Sequence, residues 1–385
     1  MARNENPVLI ASAAAFCVAC ASGNNTPEFG SDAGTGTSTS SSTSSGAGSS
    51  SGGSSSGTPA GGGSGGESGG GTGGGSESSS GASSGSPGGS SSSGSGKPSE
   101  GSAEGGSNVT GPVTTTGSDP VIPAVMGTCP TLTGLSGGAV TISGTQVSIW
   151  SGTKGATPAP IVFYWHGTGS SASEVTTFMQ AQITEITQEG GLIASFSTST
   201  SQGQDTGDAV WYTGDFAMAD QILACAVQQL NINTRMIYTA GCSAGGLQAG
   251  AMIFSRSDYL AAAMPNSGGE TFPNAYPQEN AHVPSVMTAH GGTADMVVIS
   301  FATASATLDM DIAGRAASSK PPGGYVIDCN HGGGHCGIFF ATPVNTSEYV
   351  NAQWQFCKDH PFGVASDPYA NGLPSSFPSY CTVIK

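Results

Sequence analysis

The chain has 385 residues, a formal net charge of −16 and only nine Lys and Arg residues. It contains no basic cluster of the kind that binds phosphate backbones, so the composition argues against nucleic-acid binding. Charged residues make up only 9% of the chain. Together with its many Ser, Thr, Asn and Gln residues, this low charge is typical of a secreted protein.

The first residues resemble an export signal. The stretch PVLIASAAAFCVA at positions 7–19 is an apolar run of signal-peptide length and is too short to span a bilayer. Small residues before Cys20, with a polar low-complexity segment after it, resemble the lipobox of bacterial lipoproteins. We therefore expect a lipoprotein-type signal peptide over residues 1–19 and a lipid on Cys20. Ordinary signal-peptidase cleavage and plain secretion are the alternative.

A long low-complexity segment follows the signal. Between about Gly30 and Gly117 the residues are almost all Ser, Gly and Thr, which carry too little apolar surface to offset the entropy of ordering. We therefore expect a disordered linker over residues 20–120. The remaining residues, 121–385, contain nearly all the aromatic side chains and suffice for one α/β domain.

The first elements of this domain are two kinds of strand. Residues 138–152 alternate between apolar and polar side chains and break at Gly144-Thr145, which predicts an antiparallel hairpin. Residues 160–167, PIVFYWHG, form a continuous apolar run, as in a parallel strand buried on both faces. An S-x-x-E capping box at 171–174 predicts a helix that ends near Glu189.

Strands and helices then alternate to the end of the predicted sheet. Residues 215–230 place apolar side chains at helical spacing on one face, and a helix is also expected between about 300 and 317. Further strands are expected in five segments: 191–198, 234–241, 259–269, 283–292 and 324–329. The alternation implies βαβ units, and so a mostly parallel sheet with helices on both faces in a single α/β domain.

The stretch YTAGCSAGGLQAGAM at 238–252 joins a predicted strand to a predicted helix. Gly241 and Gly245 flank Ser243 two residues away on each side, which allows strand and helix to approach around a sharp turn. That turn exposes the serine hydroxyl at the edge of the sheet, and the N–H of Ala244 begins an oxyanion hole. We therefore interpret Ser243 as a nucleophile.

An acid and a histidine follow in the required order after later strands. Asp295 comes just after the strand that ends near Ala289, where the alternative role is a turn or helix-cap carboxylate. His331 and His335 both follow the next strand. We choose His335 as the base because three preceding glycines permit the turn that aims its imidazole at the serine. His331 is then expected to support the loop.

Four stretches occur in the order found in a known enzyme group: FYWHGTG, INTRMIYTAGCSAGG, HGGTADMVV and CNHGGGH. By these motifs the chain resembles the extracellular polyhydroxybutyrate depolymerase and feruloyl (acetylxylan) esterase group of the α/β-hydrolases. The resemblance implies an α/β-hydrolase fold with Ser243 as nucleophile, Asp295 as acid and His335 as base. It also implies an oxyanion hole formed by the backbone N–H groups of Thr168 and Ala244.

The expected function is therefore that of a secreted or surface-tethered serine esterase. It would hydrolyse carboxylic esters, with a polyhydroxyalkanoate-type polyester or an acylated polysaccharide as the expected substrate. We expect no cofactor, a monomer, and contact with the membrane only through the N-terminal lipid. The alternative is a non-catalytic, surface-tethered binding module that retains the hydrolase fold.

Three further expectations concern single side chains. Trp211 and Tyr212 lie in a polar connection, where they line the substrate cleft or only contribute to packing. Among the seven cysteines after residue 120, Cys357 and Cys381 are the first expected disulfide pair. A metal site is the alternative role of a segment that contains four residues of metal-ligand type, Cys329, His331, His335 and Cys336. The spacing of these residues fits the usual ligand patterns poorly, so we expect no metal site.

Overall fold

The structure is a computed structural model, and it describes residues 113–200, 210–278, 281–319, 323–340 and 345–385. The expected signal peptide, the lipidation site Cys20 and most of the expected linker lie outside these described residues. The described residues all belong to one compact unit. Within them, no helix is long and apolar enough to cross a membrane.

The domain begins earlier than the predicted boundary at residue 121. Thr115 forms an antiparallel bridge with Val364, and the N–H of Thr116 donates to the carbonyl oxygen of Gly363 at 2.7 Å. The expected linker boundary is therefore wrong by several residues. Composition did not reveal it, because the pairing depends on backbone groups and not on apolar side chains.

One mixed sheet organises the domain. Its strands, in chain order, are β1 (Ser136–Ile142), β2 (Thr145–Ser151), β3 (Ala159–Trp165), β4 (Leu192–Phe196), β5 (Ile232–Cys242), β6 (Ala262–Asn266), β7 (Ser285–His290), β8 (Val326–Asn330) and β9 (Cys381–Ile384). Their order across the sheet is β1-β2-β4-β3-β5-β6-β7-β8-β9. The strands from β4 to β8 in this order are parallel, and antiparallel strands close both edges.

The sequence pattern explains which strands are central. Strands β3, β4, β6 and β7 are buried along their whole length, as continuous apolar runs predict. The predicted hairpin is confirmed, because β1 and β2 pair antiparallel on either side of Ser143 and Gly144. The functional loops therefore follow the carboxyl ends of buried, rigid strands.

Helices cover both faces of the sheet. They are α1 (Val175–Gln188), α2 (Phe216–Gln229), α3 (Ala244–Ser255), α4 (Phe301–Ser319), α5 (Gly337–Phe340) and α6 (Thr346–Asp359). Apolar side chains of α2, α3 and α4 belong to one core cluster, and those of α1, α5 and α6 belong to a second. This arrangement confirms the predicted fold class.

The predicted capping box before α1 is wrong. Ser171 caps no backbone group, and its hydroxyl instead lies 2.8 Å from that of Ser173. Glu174 accepts hydrogen bonds from the Tyr164 hydroxyl at 2.8 Å and from the Gly167 N–H at 3.1 Å. The carboxylate is drawn inward because these donors at the end of β3 need a partner in a buried position.

Three disulfides link distant parts of the domain: Cys129–Cys225, Cys242–Cys336 and Cys329–Cys381. The expected Cys357–Cys381 pair is therefore wrong. Cys381 on β9 lies directly opposite Cys329 on β8 in the antiparallel register. Cys357 is free and buried on α6, with its sulfur 3.4 Å from that of Met264.

The thiol count tests this pairing. In a chain lacking residues 1–20, a thiol-reactive dye should label no cysteine of the folded protein, because Cys357 is buried. Denaturation without a reductant should expose one thiol per chain, and peptide mapping should place it at Cys357. Labelling at Cys381 under those conditions would contradict the pairing.

Candidate active site

Ser243 occupies a strained turn between β5 and α3. Its backbone has φ of 59° and ψ of −123°, a region that non-glycine residues adopt only when their surroundings enforce it. The Ser243 N–H donates to the carbonyl oxygen of Asn266 at 3.0 Å. A side chain at Gly245 would collide with the backbone of Trp165, so this glycine is required for the close approach.

The structure brings Ser243, His335 and Asp295 together in one chain of hydrogen bonds. The Nε2 of His335 lies 2.9 Å from the Ser243 Oγ, and its Nδ1 lies 2.7 Å from an Asp295 oxygen. A neutral imidazole fits this arrangement when Nδ1–H donates to the carboxylate and Nε2 accepts from the hydroxyl. The Phe301 ring packs 4.5 Å from the imidazole, centroid to centroid.

Asp295 is fully buried but well supplied with donors. Its second oxygen accepts hydrogen bonds from the Ser267 hydroxyl at 2.7 Å and from the Gly291 N–H at 2.9 Å. Burial alone would raise the pKa of Asp295. The hydrogen bonds from His335, Gly291 and Ser267 outweigh burial and hold the pKa below its ordinary value. The carboxylate is therefore ionised at neutral pH.

The loop after β3 lies against the turn that carries Ser243. A Cβ added to Gly167 would lie 3.3 Å from the Ser243 Cβ, and Glu174 holds the Gly167 N–H. Thr168 follows directly, while Ala244 is the first residue of α3. These are the places that an oxyanion hole requires, and the role of the two N–H groups stays a prediction. The ring nitrogens of His166 lie 2.8 Å from the carbonyl oxygen of Gly167 and 3.0 Å from that of Ser197, the residue after β4.

A disulfide joins the two sides of the site. Cys242 directly precedes Ser243, and Cys336 directly follows His335. The bond therefore ties the turn that carries the serine to the loop that carries the histidine. It was not predicted, although one signal was available: each cysteine is the immediate neighbour of a predicted catalytic residue.

Trp211 is a core residue, and the expectation that it lines a substrate cleft is wrong. Its side chain is fully buried, packs edge-on against Trp165 at 5.2 Å between centroids, and donates through Nε1 to the His166 carbonyl at 2.9 Å. Tyr212 is half-buried, and its hydroxyl accepts from Thr200 at 3.2 Å. Its contact with substrate stays a prediction.

His331 lies outside the triad. Its N–H donates to the carbonyl oxygen of His290 at 3.0 Å, and its Nδ1 accepts from the Gly333 N–H at 3.1 Å. The metal alternative has no free thiolate, because Cys329 and Cys336 belong to two different disulfides. Within the described ranges, no three His, Cys, Asp or Glu residues are placed to hold a metal ion.

Comparison with known proteins identifies the fold. No protein-family model and no curated protein matches the chain. A solved pOPH variant in complex with pNPB gives a TM-score of 0.52 at 15% identity, over 66% of this chain and 96% of that one. Native pOPH gives 0.51 at 15% identity, over 66% and 97% of the two chains. At this identity the likeness shows the fold alone, and that fold is the predicted α/β-hydrolase fold.

A more distant structure is the acetyl xylan esterase from Aspergillus awamori. Its TM-score is 0.40 at 14% identity, and the match covers 55% of this chain and 94% of that chain. This score is too low to support a conclusion about the present site.

The environment of His331 predicts a pH effect on stability. Burial lowers its pKa to about 4, while an unfolded histidine has a pKa of about 6.5. Between these values the unfolded chain binds more protons, so His331 contributes stability that is lost as the pH falls from about 6.5 toward 4. Urea unfolding should therefore show that the free energy of unfolding of the wild type, minus that of His331→Gln, decreases as the pH falls from about 6.5 toward 4. A difference independent of pH would contradict the assignment.

Proposed function

We propose that the protein is a serine carboxylic ester hydrolase that acts through an acyl-enzyme. The observation that carries the proposal is the unbroken path of hydrogen bonds from the Ser243 hydroxyl through His335 to the buried Asp295 carboxylate. A serine hydroxyl is a weak nucleophile until a neutral imidazole takes its proton. The three residues supply the base and the charge that this step requires.

The reaction follows from these positions. Ser243 Oγ attacks the ester carbonyl while His335 Nε2 accepts its proton, and Asp295 stabilises the imidazolium that forms. The N–H groups of Thr168 and Ala244 would bind the oxyanion. His335 then donates the proton to the departing alcohol. The same imidazole then takes a proton from a water molecule as that water attacks the acyl-enzyme. The imidazolium returns this proton to the Ser243 Oγ, which releases the acid and restores the serine.

We also propose a polymeric substrate, either a polyhydroxyalkanoate-type polyester or an acylated polysaccharide. Support comes from the motif resemblance and from an exposed apolar turn next to the triad. Met296, Val297 and Val298 directly follow Asp295, and each side chain is about half exposed or more. Exposed apolar residues in a row are unusual on a monomer unless they contact a partner or a substrate. This feature favours the polyester.

The proposed location is the outside of the cell. Three disulfides suit an oxidising compartment. A lipid on Cys20 would anchor the chain, and residues 21–112 would serve as a tether. A Gly-rich coil of this length extends roughly 50–60 Å on average, enough for the domain to reach a substrate beyond a crowded surface layer.

Replacement of the nucleophile tests the reaction. Ser243→Ala should abolish turnover of p-nitrophenyl butyrate while far-UV circular dichroism and thermal unfolding stay close to those of the wild type. Ser151→Ala is the matched control, since Ser151 is a buried serine on β2, which β4 and β3 separate from β5 in the sheet. Turnover that persists in Ser243→Ala would exclude the mechanism. An inactive wild-type protein would favour the non-catalytic binding module.

The two histidines of the β8 loop should behave differently. His335→Ala should lose turnover by several orders of magnitude, on the precedent of about 10⁴-fold or more for triad residues. His331→Ala should keep most of its activity, because its ring contacts neither Ser243 nor Asp295 through a hydrogen bond. An active His335→Ala together with an inactive His331→Ala would reverse the assignment.

The tether can be tested separately from the chemistry. Deletion of residues 30–112 keeps Thr115 and its pairing with Val364. It should leave turnover of a small soluble ester unchanged and reduce the attack of whole cells on an insoluble polymer. Cys20→Ser should move the protein from the membrane fraction to the medium. Wild-type protein recovered from the medium without attached lipid would contradict the anchor.

A further inference from the structure

The end of strand β6 forms hydrogen bonds to Ser243, to Asp295 and to the residue that follows His335. The carbonyl oxygen of Asn266 accepts the N–H of Ser243 at 3.0 Å. The next residue, Ser267, donates from its hydroxyl to Asp295 at 2.7 Å. The same hydroxyl accepts the N–H of Cys336, the residue after His335, at 2.8 Å. The proposed function leaves this hydroxyl without a role.

Ser267 is held firmly in place. Its side chain is 1% exposed, and its N–H donates to the carbonyl oxygen of Ala289 at the end of β7 at 2.7 Å. Its φ is 40°, in the left-handed region that favours glycine. Ser243 and Cys336 also have positive φ, at 59° and 48°. Such conformations persist only when the surroundings impose them, and they concentrate at functional sites.

The hydroxyl group suits this position chemically. It has one proton, which it donates to the carboxylate, and two lone pairs, one of which accepts the backbone N–H. A single side chain therefore fixes the second oxygen of Asp295 and the backbone that follows His335. Because that oxygen is not the one bound to the imidazole, the hydroxyl also sets how the carboxylate faces His335.

We propose that Ser267 is a positioning residue of the triad, which fixes the acid and the histidine loop relative to each other through one buried hydroxyl. The proposal rests on the proposed esterase function. This role differs from a purely structural one because the Ser267 hydroxyl donates a hydrogen bond to the charged carboxylate of Asp295. Loss of the hydroxyl should change the basicity of His335 as well as its position.

The direction of that change follows from the hydrogen bonds. Without the Ser267 donor, the negative charge of Asp295 is less neutralised and attracts the imidazolium more strongly. The acid limb of kcat/KM, which reports protonation of the free enzyme's base, should therefore move to higher pH. Among the described residues, other titratable groups lie on the neighbouring elements: His331 on the same loop, His290 and Asp328 on β7 and β8, and the buried Asp309 on α4 beside Asp328. The substitution changes none of them.

The experiment compares Ser267→Ala with Ser285→Ala in the full chain, with p-nitrophenyl butyrate as substrate from pH 5 to 9. Ser285 is also 1% exposed, but it lies at the start of β7, where its hydroxyl accepts the Tyr325 N–H. Ser267→Ala should lower kcat by about 10- to 100-fold, the range of one hydrogen bond to a charged group, with little change in KM. Its acid limb should shift upward, whereas Ser285→Ala should behave as the wild type.

A second variant protects the test against misfolding. Ser267→Gly accepts the positive φ without strain and also lacks the hydroxyl, so it should reproduce the loss of kcat and the shifted limb. Wild-type kcat in either folded variant, or an unshifted acid limb in both, would overturn the role of Ser267 and leave the esterase proposal intact. A wild-type protein that hydrolyses no ester would overturn both the esterase proposal and the role of Ser267. The two proposals therefore fail through different results.

Discussion

The close approach of helix α3 to the ends of β3 and β6 is the constraint on which the site depends. Gly245 meets the backbone of Trp165, and Gly246 and Gly250 meet the backbones of Gly268 and Gly269. Main chain contacts main chain at each of these points, so no side chain larger than hydrogen fits. This contact forces the turn at Ser243 into its strained conformation and places the hydroxyl at the carboxyl edge of the sheet.

The other two side chains of the proposed triad reach the same edge because the strands that precede them are parallel. Asp295 follows β7 and His335 follows β8, so both loops end beside the serine turn. A covalent bond further restricts their relative movement, since the Cys242–Cys336 disulfide spans 94 residues and connects the neighbours of the serine and the histidine. Rigid positioning of this kind would lower the reorganisation that the proposed acyl transfer requires.

The sequence predicted the fold because its buried strands are unbroken apolar runs and because the turn at Ser243 has glycines where the close approach of strand and helix needs them. The grouping of Ser243, Asp295 and His335 could also be predicted, because each of them follows a predicted strand. Helix α6 was not predicted, although Asn345 and Glu348 form a recognisable start: the Asn345 side chain accepts the Glu348 N–H. Strand β9 has four residues, and only its pairing with β8 defines it.

The errors share a physical cause. The Cys357–Cys381 pair was inferred from sequence proximity, which carries no information on strand register. Glu174 was assigned to a helix cap, but buried donors at the end of β3 compete for the same carboxylate. Ser267 gave no signal in the sequence, because a lone serine after a strand is common. Tertiary contacts decide all three cases.

The most direct test of the central claim is covalent labelling of the nucleophile. The protein is incubated with a p-nitrophenyl alkylphosphonate, which mimics the ester and traps an activated serine, and its peptides are then mapped by mass spectrometry. The account predicts one adduct per chain, on the peptide that contains Ser243, despite the many serines elsewhere in the sequence. No adduct, or an adduct on another serine, would contradict it.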